Sequence, residues 1–191
     1  DFRRASLEEM GVVVYPPRAI ETYTNSLLEN WNTVAIRGRQ PRLVIDYSSS
    51  APAYFFSGTL DKLGVETITL NAAPSGRKRF TVSETLPQSA ARVGQLVQAM
   101  EADLGAILDP GAEYLFIVDE KGRLVPDSAL LLLLLQQAAR EAEGGGTIVL
   151  PLYATRYAEH VVPSTGTTVR RTKCSKAALT ADATRPNTIF A

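Results

Sequence analysis

Hydrophobic and polar positions divide the chain into one helical stretch followed by alternating strands and helices. Residues 1–16 show no clear period. Pro16-Pro17 then open a helix, because proline suits a first helical turn, and Ile20, Tyr23, Leu27 and Trp31 make one apolar face. Asn32 to Gln40 reads as a connector. From Arg42 the pattern changes. Leu43 to Asp46 is a short buried strand, and Ser48-Ser49-Ser50 lead into a helix that starts near Ser50 and Pro52. Ala53, Phe56, Leu60 and Leu63 form its buried face, and Gly64 ends it. Val65 to Leu70 alternates as a strand. Thr85-Leu86-Pro87-Gln88 has the spacing of a capping box, ahead of a helix with Val93, Leu96, Val97 and Met100 on one face.

The stretch from Asp103 to Gly122 is the centre of this pattern. It reads as a buried strand ending at Asp109, a tight turn, and a second strand from Tyr114 to Val118. Asp119 to Gly122 turn the chain again, and Arg123-Leu124-Val125 is a short return strand, so the hairpin around Gly122 adds an antiparallel edge. Asp127 or Ser128 caps a Leu-rich helix ended by Gly144-Gly145-Gly146; Leu130 to Leu135 make its start apolar all round, which predicts cover on both sides. After the glycines, Thr147 to Leu150 is a strand, Thr155 to Val162 a short helix and Thr167 to Arg170 another strand. Strands separated by helices of about a dozen residues predict an α/β fold, three layers deep, with a mixed and mainly parallel sheet. The expected organisation is a segment with a connecting helix over 1–40, one α/β unit over 41–145, and the incomplete start of a second over 146–191.

Composition narrows the function classes. The chain has 191 residues, enough for one large or two small cores, and its 45% hydrophobic content is that of a globular protein. Twenty basic and twenty acidic residues cancel, which gives no reason to expect a nucleic-acid partner. The single cysteine, Cys174, allows no internal disulfide and fits a reducing, cytoplasmic setting. Ala129 to Leu135, the longest apolar run, is far too short to span a bilayer, so no membrane partner is expected. The opening Asp-Phe-Arg-Arg-Ala-Ser is not a signal peptide, and a start without Met is expected of a piece of a longer protein.

Several groups offer chemistry. Asp109 and Glu113, on one tight loop, could chelate a hard cation such as magnesium through oxygen ligands. Asp109-Pro110-Gly111-Ala112 is also a good type II turn sequence, with proline second and glycine third, and the plain turn is the simpler reading. Arg77, Lys78 and Arg79 suit either a phosphate grip or a solvated basic loop. Arg170 to Lys176 follow a strand, where Arg171, Lys173, Ser175 and Lys176 could hold an anion. His160 has no partner suggested by spacing, and nothing marks Cys174 as activated. Ser48 to Ser50 sit at a strand-to-helix turn, which suits a phosphate site or a plain helix cap.

Several of these strings together resemble the α-D-phosphohexomutases, the phosphoglucomutase/phosphomannomutase family. The string Ala102 to Asp109, continued as Leu115 to Gly122, is similar to the family strand that leads into Asp-Gly-Asp-Gly-Asp-Arg and then a Val-Asp-Glu-x-Gly hairpin. The resemblance covers roughly residues 17–191, as the second of four family domains and the start of the third. It implies that three loop aspartates bind magnesium beside a phosphoserine. Here the loop keeps Asp109, has Gly111 in the middle position and Glu113 in the third, and Tyr114 replaces the arginine. Pro110 also stiffens it. Arg171-Thr172-Lys173-Cys174-Ser175-Lys176 resembles the family's Arg-Thr-x-x-Gly string; Ser175 stands where glycine is usual, and Lys176 where a His or Lys serves in proton transfer. At the family's basic first strand of the third domain stand Pro151-Leu152-Tyr153.

The phosphoserine string Thr-Ala-Ser-His-Asn-Pro does not occur in these residues, and the sugar-binding Gly-Glu-x-Ser-Gly loop is expected beyond Ala191. Degenerate modules of this kind also resemble those fused behind a sugar-phosphate nucleotidyltransferase, such as a mannose-1-phosphate guanylyltransferase. The expectation is a mutase-like piece of a longer protein of sugar-phosphate or sugar-nucleotide metabolism. It would have no catalytic residue of its own, no cofactor unless the altered loop still takes magnesium, and a structural or regulatory role. Its expected partners are a phosphosugar and the remaining domains. Two alternatives stand beside this: part of an active mutase interconverting sugar 1- and 6-phosphates, or an unrelated α/β binding domain.

Overall fold

A computed structural model describes residues 6, 10–73, 81–142, 144–162 and 166–191. Two sheets organise it. The first has the order β2-β1-β3-β4, built from β1 (Arg42–Asp46), β2 (Glu66–Leu70), β3 (Leu104–Leu108) and β4 (Leu115–Val118). β1 pairs parallel with both β2 and β3, and β4 closes the edge antiparallel to β3.

Side chains alternate across a strand, and β1 shows the result. Val44 faces α4 (Thr85–Ala99), where it joins Ile107, Phe116 and Val118 under Ala90, Val93 and Val97. Ile45 faces the other way, onto Leu60 and Leu63 at α3 (Phe56–Asp61) and onto Leu28, Trp31 and Ile36 from α1 (Ala19–Asn30) and α2 (Thr33–Arg39). Helices therefore cover both faces, as the sequence pattern predicts. Gly105 is needed where α4 presses on β3, since a Cβ there would run into Val93.

The second sheet is parallel, in the order β6-β5-β7, with β5 (Gly146–Pro151), β6 (Thr167–Thr172) and β7 (Thr188–Phe190). Its core is Ile148 and Leu150 packed with Leu135, Ala158 and Val162. Leu131, Leu132 and Ala139 join the same cluster, so α5 (Asp127–Glu141) packs on this sheet although it precedes the triple glycine. α6 (Ala158–Val161) and α7 (Lys176–Ala183) complete the unit.

Some local expectations are corrected. The Asn32–Gln40 connector contains α2, because Asn32 Oδ1 accepts the Ala35 N–H at 3.0 Å and so caps a helix. The helix foreseen from Ser50 starts as a 3₁₀ turn, Ala51–Tyr54, before α3. No capping box forms at Thr85, whose hydroxyl accepts the Thr81 N–H instead (3.1 Å). Pro126 holds the cap position of α5, with no side-chain cap bond. The return strand reduces to one bridge, Val118 to Leu124, so the antiparallel edge is β4 and the relevant hairpin is the 109–114 loop. The start of α5 is not covered on both sides: Leu133 and Leu134 are 63% and 45% exposed, while Leu135 is fully buried. Only Ala158–Val161 of the Thr155–Val162 segment is helical. No helix of the described residues is long and apolar enough to cross a membrane.

Candidate functional site

The carboxyl ends of the parallel strands gather the chemistry. In the first sheet the chain leaves β1 toward β2 and leaves β3 toward β4, in opposite directions. The crevice between two such strand ends is where open α/β sheets bind ligands. Loop 46–50 after β1 and loop 109–114 after β3 stand on this edge.

Loop 109–114 is closed by the Asp109 side chain. Its Oδ1 accepts the N–H groups of Glu113 and Tyr114, both at 2.8 Å, and its Oδ2 accepts that of Gly111 at 3.1 Å. The Ala112 N–H donates to the Asp109 carbonyl at 2.9 Å. The turn is not type II, because the left-handed residue is Ala112 (φ 53°) rather than Gly111. A Cβ at Gly111 would sit 3.1 Å from Asp109 Oδ2, so the glycine leaves room for this inward-folded carboxylate.

Glu113 points elsewhere. Its Oε2 accepts the Lys176 ammonium at 3.0 Å. Lys176 opens α7, where Ser175 Oγ accepts the Ala178 N–H at 3.2 Å and caps the helix. The ion pair thus joins a loop of the first sheet to a helix of the second. The Glu113 hydrogen bond and charge raise the lysine above its ordinary value, with smaller help from Tyr114 and Asp109.

Magnesium is the cation that the family resemblance implies here, and these residues do not fit it. Asp109 has committed both oxygens to backbone donors, and Glu113 is neutralised by an ammonium. Magnesium asks for near-octahedral oxygen ligands, and no group of three or more His, Cys, Asp or Glu that could hold a metal occurs among the described residues.

Arg171 is the centre of a second cluster. Its guanidinium donates to the carbonyls of Pro151, Ala154 and Thr155 and twice to Glu159 Oε1, five bonds at 2.6–3.2 Å. It pins the loop after β5, and its hydrogen bond holds the Glu159 carboxyl below the usual carboxylate range. Lys173 and Cys174 are exposed. The His160 ring lies 5.9 Å from that of Tyr157. Arg77, Lys78 and Arg79 lie outside the described residues. Beside the β5 edge is a cavity of about 460 Å³ lined by Asp127, Leu131, Pro151, Tyr153 and Phe190. A larger depression, about 900 Å³, sits near Pro41, Asp103 and Glu101, where strands begin, and none of the candidate residues lines it.

Sequence reasoning passed over three carboxylates, of which Asp46 alone stands at the carboxyl end of a parallel strand. Asp46 is buried at the end of β1, with Asn71 donating to it at 2.8 Å. Asp182 of α7 ties Arg170 (3.1 Å) and Arg185 (2.8 Å). Asp119 closes its own turn on Arg123 at 2.7 Å. The Asp46 signal was available: a charged residue ending the apolar run Leu43-Val44-Ile45.

Residues 21–122 match the family model for phosphoglucomutase/phosphomannomutase, alpha/beta/alpha domain II. The chain belongs to the phosphoglucomutase/phosphomannomutase family. It is 27% identical over 173 residues to a phosphoglucomutase/phosphomannomutase of Thermococcus kodakarensis, which covers 91% of this chain and 38% of that protein. It is 33% identical over 110 residues to a phosphoglucosamine mutase of Phenylobacterium zucineum, covering 56% and 24%. A crystal structure of a family protein from Burkholderia thailandensis overlays with a TM-score of 0.68 at 18% identity, across 86% of this chain and 35% of that one. The parafusin (phosphoglucomutase) of Paramecium gives 0.67 at 14%, across 85% and 31%. The fold is therefore the family's mixed, mainly parallel α/β arrangement. The chain spans about two fifths of the length of the curated Thermococcus relative.

Proposed function

We propose that this chain is the second unit and the beginning of the third unit of a phosphohexomutase-like protein of sugar-phosphate metabolism, acting in a cytoplasmic setting. In this reading its loop 109–114 has exchanged metal binding for a structural role. The observation that carries the proposal is the state of the two retained carboxylates. Asp109 is spent on three backbone amides and Glu113 on Lys176. The module then holds or senses a phosphosugar through cationic groups at the carboxyl edge. Lys173 and Lys176 are the exposed candidates, Lys176 through the two ammonium donors that its bond to Glu113 leaves over, with Ser175 and Arg171 supporting the strand end. The parent protein supplies the remaining domains, a fused nucleotidyltransferase among the possibilities the sequence raised.

The test is calorimetry on the intact parent protein with magnesium and with glucose and mannose phosphates. Phosphosugar binding that survives chelation of divalent ions, with no magnesium heat at this loop, supports the proposal. Micromolar magnesium binding abolished by Asp109→Ala overturns it.

A second reading, part of an active mutase, is favoured by one observation: the Thermococcus relative named as a mutase aligns along 91% of this chain. Magnesium-dependent interconversion of sugar 1- and 6-phosphates by the parent protein, lost in Asp109→Ala, would establish it.

A further inference from the structure

The turn after β1 carries a charge that the fold leaves unanswered. Asp46 ends the central strand of the first sheet and is fully buried. Its Oδ1 accepts the Ser48 N–H at 2.9 Å and the Asn71 side-chain amide at 2.8 Å. Its Oδ2 is buried and has no hydrogen-bond partner. Four residues on, the Ser50 hydroxyl is in the same condition, buried and unpartnered. Both belong to one turn, closed by the Ser50 N–H on the Tyr47 carbonyl at 2.8 Å. Ser48 and Ser49 take left-handed backbone there (φ 47° and 63°), and the Ser49 N–H donates to the Asn71 carbonyl at 3.0 Å. The Tyr47 hydroxyl meets Ser57 Oγ at 2.8 Å, which pins the residue that opens the turn. Among the described residues, no lysine or arginine pairs with Asp46.

We propose that the Asp46–Ser50 turn is a binding site for a monovalent hard cation, sodium or potassium, liganded by Asp46 Oδ2 and Ser50 Oγ. Removing an ionised carboxylate from water without a countercharge is costly, and buried polar atoms in native proteins are almost always partnered. A water molecule would satisfy the hydrogen bonds but leave the charge. One positive ion answers both needs, and a single carboxylate balances a single charge. A divalent ion would keep an uncompensated positive charge beside a single carboxylate, and calcium and magnesium sites draw on several carboxylate and carbonyl oxygens, whereas no cluster of three ligating side chains occurs among the described residues. Carboxylate and hydroxyl oxygens are hard donors, which excludes the soft transition metals. The site lies beside the β1/β3 crevice and shares no residue with loop 109–114, so it stands whether or not that loop binds metal.

The experiment is thermal unfolding of the intact protein in sodium, potassium and choline chlorides at equal ionic strength, with rubidium-soaked crystals as the direct view. An alkali chloride saturating the site should raise the midpoint over choline by about 5 °C. Asp46→Asn should abolish that difference, and Ser50→Ala, the milder change, should weaken the cation dependence about tenfold while the circular dichroism stays native. Rubidium should give an anomalous peak beside Asp46. Equal midpoints in all three salts, or a water at that position with no rubidium signal, would overturn the proposal.

Discussion

The Lys176 ammonium lies 3.0 Å from Glu113 Oε2 and so bridges the two sheets. Both side chains are largely exposed, at 81% and 60%, so the pair contributes little to stability and its consequence is for binding. Lys176→Met should leave the urea midpoint almost unchanged and weaken phosphosugar binding about tenfold, the scale of one charge-assisted hydrogen bond. Magnesium titration of the same variant should stay silent, because Asp109 keeps its three amides. Since the lysine is raised, its pairing is complete below the ordinary amine value and is lost only as pH climbs past it; the binding contribution of Lys176 should therefore fade above about pH 10.5.

Gly94 of α4 meets Gly122 of the turn after β4, backbone to backbone. A Cβ on Gly94 would strike the Gly122 carbonyl, and one on Gly122 would come within 2.8 Å of the Gly94 oxygen. Gly94→Ala should destabilise by about 2 kcal/mol, the scale of overpacking a tight contact. Gly122→Ala should cost about 3 kcal/mol, because left-handed strain at φ 74° is added. Urea denaturation of the two variants checks both values and their order.

The Leu-rich helix offers an internal control. Leu135→Ala should cost about 3 kcal/mol, since it empties a fully buried position among Ile148 and Leu150. Leu133→Ala, on the exposed face, should stay within about 0.5 kcal/mol. Equal losses at the two positions would mean that something covers the outer face.

Asp182 predicts an acid-sensitive contact. The Thr172 hydroxyl, and then the charges of Arg170 and Arg185, hold its carboxyl below the usual value. A depressed carboxylate stabilises the fold above its unfolded value and loses that contribution as pH falls through the folded one. The urea midpoints of the native protein and Asp182→Asn should differ by a constant amount above about pH 5 and converge below about pH 4.

The first sheet was legible because its strands are short, apolar and separated by glycine or charged turns. Val44, Ile45, Ile107 and Val118, all on strands foreseen from the pattern, are in the two cores. The second sheet was legible only up to β6. The three residues of β7 are too few to show alternation, and their pairing depends on β5, about forty residues earlier. At the candidate site the sequence marked Asp109, Glu113 and Lys176 separately, but spacing cannot show that 63 residues separate the two members of one ion pair. Nor can it show that Asp109 folds inward, which follows from an αL residue at Ala112 rather than from any motif.

The helix before the triple glycine carries one last consequence. The glycines look like a natural place to divide the protein, yet Leu131, Leu132, Leu135 and Ala139 of α5 pack with strands that follow them. A polypeptide ending at Gly144 would carry an apolar helix with nothing to cover it, and its partner would begin with a bared sheet. Such halves would be sticky rather than soluble. The safe point of division lies on the other side of the helix, between Val125, whose N–H still bonds the Ile117 carbonyl, and Pro126, which caps α5.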